Sequence, residues 1–94
     1  MVIFIIPARN EEGNISQLFS NLMAKTGKLG IDYRIILIND GSTDSTLKTA
    51  QGFKDKIPLE IIDFPIGKGV GEVFKAGFSR ALKIAGDNDI IVTK

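Results

Sequence analysis

The sequence predicts an α/β fold, three layers deep, in which a mostly parallel sheet carries helices on both faces. Three observations lead there. Apolar runs rich in β-branched residues recur at positions 2–6, 33–39, 59–64 and 89–93, each with the length and composition of a strand. Between them, apolar residues recur at helical spacing. The stretches that leave the first three strands, at positions 7–12, 40–44 and 63–71, are polar or glycine-rich. Strands that alternate with helices of roughly 10 to 15 residues favour right-handed crossovers between parallel neighbours. All three strand-to-helix loops then open on one rim of the sheet, the carboxyl ends of the strands, where ligands of open α/β sheets collect.

The first run, 2–6, is apolar at every position, as in a strand covered on both faces, and is expected to be central. Pro7 is expected to end it, because a proline donates nothing to the sheet ladder. Ile15, Leu18, Phe19, Leu22 and Met23 then mark one face of a helix, with Asn10 as its N-cap and Glu11 and Glu12 complementing the dipole in its first turn. Gly27, Gly30, Lys25 and Lys28 signal its end. The second strand runs to Asn39 and breaks into Asp40-Gly41-Ser42-Thr43-Asp44. Leu47, Ala50 and Phe53 suggest a short helix capped by Thr43 or Asp44. The third strand stops before Pro65. Val70, Val73, Phe74, Gly77, Phe78, Ala81, Leu82 and Ala85 then trace a third helical face, ending before Gly86-Asp87-Asn88 and a fourth strand.

Composition bounds the chemistry. The 94 residues fill one domain, and a net charge of +1 from 12 basic and 11 acidic residues supplies no general attraction to nucleic acid. With no cysteine and no histidine, the chain lacks disulfides, thiolate ligands and the usual general base, so any metal must be held by oxygen. The six-residue apolar start is stopped by Pro7 and fits neither a signal peptide nor a membrane span, which makes a cytoplasmic location the expectation.

Chemistry-bearing residues gather at the three loops. Asp40 stands where an apolar strand meets a turn, at the lip of the expected crevice, although Asp-Gly is also a common turn former. Asn10, Glu11 and Glu12 serve as readily for capping as for ligand contact. Gly67-Lys68-Gly69-Val70-Gly71 invites comparison with phosphate-binding motifs and matches neither of two. A P-loop requires glycine and a hydroxyl residue where Ile62 and Gly69 stand, and the dinucleotide fingerprint follows the first strand with a different glycine spacing. Asp87 and Asp89 precede the fourth strand and belong at the opposite rim, in a solvated loop.

Taken together, Pro7-Ala8-Arg9-Asn10-Glu11-Glu12, Asn39-Asp40-Gly41-Ser42-Thr43-Asp44-Ser45-Thr46, Lys68-Gly69-Val70-Gly71 with Lys75-Ala76-Gly77-Phe78, and the run from Gly86 to Thr93 resemble, in order and spacing, the N-terminal part of family 2 glycosyltransferases of the GT-A fold. Within that family the third motif most resembles the polyprenyl- and dolichyl-phosphate sugar transferases. The resemblance implies a Rossmann-like nucleotide-sugar-binding half, a donor that is a UDP- or GDP-sugar, and an acceptor that includes lipid phosphate among its candidates. It places Pro7, Ala8, Arg9, Glu11, Ile38, Asp40, Lys68 and Gly69 at the nucleotide sugar, with Lys68 or Lys75 near the diphosphate. Lys75 stands where many relatives have Arg, and Gly67 where they often have Asn.

The resemblance further implies a Mg²⁺ or Mn²⁺ cofactor whose acidic ligands lie beyond residue 94, so that no metal ligand and no catalytic residue falls within this stretch. The expectation is a fragment, inactive alone, whose exposed sheet edge is available for self-association and whose membrane attachment, at the cytoplasmic face, comes from segments absent here. A sugar nucleotidyltransferase and a non-catalytic nucleotide-binding module are the alternatives.

Overall fold

The computed structural model describes residues 1–94 as a four-stranded sheet with three helices. In chain order the elements are β1 (Val2–Ala8), α1 (Glu12–Leu29), β2 (Tyr33–Asp40), α2 (Thr46–Gln51), β3 (Leu59–Phe64), α3 (Val70–Ile84) and β4 (Ile90–Thr93). The strand order is β3-β2-β1-β4 and every pairing is parallel. The α/β class and three-layer architecture expected from the sequence are those of the structure.

Handedness explains the layers. From β1 the chain steps outward to β2 and then β3, and two right-handed crossovers in the same direction put α1 and α2 on one face. Reaching β4 reverses the direction past β2 and β1, so the same handedness sends α3 across the other face. The alternation of side chains divides the core accordingly. Ile6, Ala8, Ile35 and Leu37 meet Ile15, Phe19 and Leu22 of α1 and Ala50 of α2. Ile3, Ile5, Ile36 and Ile38 meet Val73 and Ala81 of α3. Both faces of the two central strands are buried, which is why their sequences are continuously apolar.

The structure moves several expected boundaries. β1 does not stop at Pro7 but runs to Ala8, pairing with β2 as far as Asn39. The Ile5 carbonyl accepts from Lys94 N on the β4 side, and by alternation Pro7 faces that side too. The β1–β4 register reaches only Ile5, so the missing proline N–H breaks no ladder bond. Asn10 does not cap α1. It adopts a left-handed φ of 53°, and the helix starts at Glu12 with Glu11 in the flanking position. α1 continues through Gly27 and closes at Gly30, whose φ of 64° suits a glycine cap.

α3 buries less of its apolar stripe than the periodicity implies. Val73, Gly77 and Ala81 are buried, whereas Val70 is 71% and Leu82 69% exposed. The helix lies so close to the sheet at Gly77 that an added Cβ would fall 2.6 Å from Ile5 Cγ2 and 3.0 Å from Ile38 Cδ1. A helix seated this closely makes contact along a narrow line of small residues, leaving the flanking apolar positions outside. Arg80 also ties α3 to the edge strand, donating from Nε and Nη2 to both carboxylate oxygens of Glu60 at 2.6 and 2.9 Å.

Candidate functional site

The carboxyl ends of β1, β2 and β3 deliver three loops to one rim, and hydrogen bonds between them define its shape. Asp40, the last residue of β2, is nearly buried, and its carboxylate accepts from Lys68 N at 2.7 Å and Gly69 N at 3.2 Å. The third loop is therefore anchored through its backbone to the end of the second strand. Gly41 makes that approach possible. Its φ is +67°, and a Cβ there would lie 2.8 Å from Gly67 Cα and closer still to Gly67 N. Gly67 is less constrained, since a Cβ would find only ordinary contacts with Asp40 and Arg9 Nη1, the closest at 3.4 Å.

The first and second loops interlock by reciprocal bonds. Asn10 N donates to Ser42 Oγ at 3.0 Å, and the Asn10 side-chain oxygen accepts from Thr43 N at 2.8 Å. Glu11 N donates to Thr46 Oγ1 at 2.7 Å, and Glu12 N to Asp44 Oδ2 at 3.3 Å. In return, Ser45 N donates to Glu12 Oε2 at 3.1 Å. Beneath them Ser42 donates to the buried Asn39 side-chain oxygen, and Asn39 Nδ2 donates to Asp63 Oδ1 at 2.9 Å, extending the network to β3.

A cleft of about 260 Å³ opens between the first loop and the start of α3, lined by Pro7, Ala8, Arg9, Glu11, Asp40, Gly69, Val70 and Val73. Six of the eight residues expected at a ligand thus share one concavity. Two do not line it. Ile38 has no exposed surface and belongs to the core under α3, because its even position on β2 turns it inward with Ile36. Lys68 reaches the rim through its backbone, while its ammonium lies 5.2 Å from the centroid of the Phe64 ring. Val70, from the third motif, and Val73, which the sequence marks only as a member of a helical stripe, also line the cleft. A second hollow of about 190 Å³ lies on the α1 side of β1, where Pro7, Ala8 and Glu11 recur beside Ile6, Asn14, Ile15, Leu18 and Lys94. Glu11 borders both.

Electrostatically the cleft combines one guanidinium, from Arg9, with the carboxylates of Glu11 and Asp40. In the interlock, the Thr46 hydroxyl, followed by the amides of Thr46 and Glu12, holds the Asp44 carboxyl below its ordinary value. At the opposite rim Asp89 is lowered by the Gly86 amide and by the Met1 ammonium, 2.9 Å away. No three acidic side chains converge, so residues 1–94 form no all-protein cage for a divalent cation. No helix is long and apolar enough to cross a membrane.

Comparison with known proteins places these loops in context. The sequence model described as Glycosyl transferase family 2 matches residues 3–83. A dolichol-phosphate mannosyltransferase of Pyrococcus furiosus is 34% identical over 80 residues, covering 85% of this chain and 22% of the relative. An undecaprenyl-phosphate 4-deoxy-4-formamido-L-arabinose transferase of Proteus mirabilis is 28% identical over 94 residues, covering 98% and 27%. Among solved structures, S. aureus TarS superposes with a TM-score of 0.71 at 24% identity, over 98% of this chain and 26% of that one. The mannosyltransferase PcManGT from Pyrobaculum calidifontis, in complex with GDP-Man and Mn²⁺, gives 0.66 at 19% identity, over 90% and 24%. The chain spans about a quarter of the length of these proteins.

Proposed function

Because this chain belongs to glycosyl transferase family 2, we propose that it forms the nucleotide-binding part of an enzyme that transfers a sugar from a UDP- or GDP-sugar to an acceptor. The observation that supports this most is the convergence of Arg9, Glu11, Asp40 and Gly69 on one cleft from three separate loops. Carboxylates accept hydrogen bonds from base N–H and ribose hydroxyl groups, and Pro7, Ala8, Val70 and Val73 supply apolar walls for a planar base. Arg9 stacks on the base or pairs with phosphate. The free amides at the start of α3, opened by Gly69 at φ +90°, suit a diphosphate.

Asp40 has a double role in this reading. Its bonds to Lys68 N and Gly69 N hold the third loop against the cleft, and its remaining lone pairs face the ligand. Lys68 joins the diphosphate only if its side chain leaves the Phe64 ring. Ile38 supports the site from beneath. The acceptor is a polyprenyl phosphate, by analogy with the relatives from P. furiosus and P. mirabilis, and the cation is Mg²⁺ or Mn²⁺, bound through carboxylates outside residues 1–94. A lipid-phosphate acceptor calls for a membrane surface, and in this reading that surface is the cytoplasmic face.

Calorimetric titration of the intact protein with UDP and GDP tests the proposal. Arg9→Ala and Glu11→Gln are expected to weaken the preferred nucleotide about tenfold each, the worth of one good polar contact. Unchanged affinity in both variants would reject the site.

A further inference from the structure

Of the residues in the interlock between the first two loops, Glu11 lines the 260 Å³ cleft, while Asn10, Glu12 and residues 42–46 stand outside it. The centre of the interlock is Thr46, fully buried at the start of α2. The Thr46 hydroxyl donates to Asp44 Oδ1, which leaves its lone pair directed to the Glu11 amide 2.7 Å away. Asp44 uses its second oxygen for Glu12 N and its first also for Thr46 N, at 2.9 Å. The hydroxyl is oriented by a carboxylate that is itself oriented by two amides, so the proton of the relay has one arrangement.

Immediately before Glu11, Asn10 adopts a left-handed conformation that asparagine tolerates better than most residues but that needs support. That support comes from the second loop at both ends: its amide is bonded to Ser42, and its side-chain oxygen to Thr43. The backbone of residues 10–12 is thus bound to residues 42–46 at every amide, and Arg9 and Glu11, the neighbours of Asn10 in the chain, both line the cleft.

We infer that Thr46, Asp44 and Asn10 are positioning residues: through the Thr46 hydroxyl relay and the Asn10 turn, the second loop sets the conformation in which the first loop presents Arg9 and Glu11 to the cleft. The ligand half of the inference rests on the nucleotide-binding function proposed above; the conformational half stands on the hydrogen bonds alone. It also gives Ser42-Thr43-Asp44-Ser45-Thr46 a role beyond the start of α2, where Asp44 Oδ1 accepts from the first helical amide, Thr46 N, and Ser45 makes no side-chain cap bond.

Two measurements on the intact protein test it. Amide hydrogen exchange in the absence of ligand is compared for wild type, Thr46→Val, Thr46→Ser and Asn10→Gly. Valine keeps the buried volume without the hydroxyl, serine restores the hydroxyl, and glycine keeps the left-handed turn without the Oδ1 acceptor. Thr46→Val is expected to lose protection at Glu11, Asn10→Gly at Thr43, and Thr46→Ser to retain it. Unchanged protection in both Val and Gly variants overturns the inference. Where Thr46→Val proves too unstable to study, the exposed Asn10→Gly substitution carries the same decision.

The second measurement is UDP and GDP affinity. Loss of protection is expected to accompany a loss of affinity on the order of tenfold, comparable to one hydrogen bond, with recovery in Thr46→Ser. Full affinity with protection lost overturns the positioning role. A wild-type protein that binds neither nucleotide refutes the proposed function instead, and the exchange data then decide the conformational inference by themselves.

Discussion

Replacing Gly41 by alanine probes how the rim is assembled. Two costs follow from the geometry. The residue sits at φ +67°, where a non-glycine side chain costs ~1–2 kcal/mol. The new Cβ would also lie 2.8 Å from Gly67 Cα, so the third loop must retreat by roughly 1 Å to reach an ordinary contact. Such a retreat lengthens the 2.7 and 3.2 Å bonds from Lys68 N and Gly69 N to Asp40 beyond hydrogen-bonding range.

Losing even one of these charge-assisted bonds costs ~1.5–3 kcal/mol, which brings the total to at least about 2.5–5 kcal/mol. A domain of this size has a total stability of only ~5–14 kcal/mol, so Gly41→Ala is expected to lower the urea midpoint by a large fraction. Gly69→Ala is the control. Its φ is also positive, at +90° with ψ at 167°, a region that essentially only glycine adopts, but its Cβ would meet open space, and only the backbone cost of ~1–3 kcal/mol applies. Urea unfolding followed by circular dichroism separates the two. Equal midpoints for the two variants would refute the claim that close approach of two backbones, rather than turn conformation alone, requires glycine at position 41.

Further substitutions address other parts of the structure. Gly77→Ala forces a methyl group against Ile5 and Ile38 and is expected to cost ~1–3 kcal/mol despite alanine's better helix propensity, read as a lowered melting temperature. Gly67→Ala, by contrast, puts a Cβ into ordinary contacts only and is expected to change stability by no more than ~0.5 kcal/mol; a large loss would show that the third loop is tighter than its distances indicate. Asp44, with its carboxyl below the ordinary value of 3.8 in the folded state, contributes stability that is complete above that value and lost as pH falls through the folded one. Asp44→Asn is therefore expected to remove part of the acid sensitivity of the urea midpoint while leaving the part due to Asp89; an identical pH profile would contradict the assigned bonds.

The sequence by itself determined the fold. Continuous apolar runs in β1 and β2 require cover on both faces, the 3.6-residue stripes supply it, and right-handed crossovers leave few other arrangements. It also located the rim, because polar and glycine-rich loops after three consecutive parallel strands must share one end of the sheet. The tertiary structure decided which of the rim's residues line the cleft. Ile38 and Asp40 are two residues apart on β2 and share the same face by alternation, but α3 covers the first and stops short of the second. Asn10 has the chemistry of an N-cap and serves instead as a brace to the second loop, a choice made by the proximity of Ser42 and Thr43, 32 and 33 residues away. Local propensity records what a side chain can bond to, whereas the partner is set by which distant loop the sheet register carries within reach.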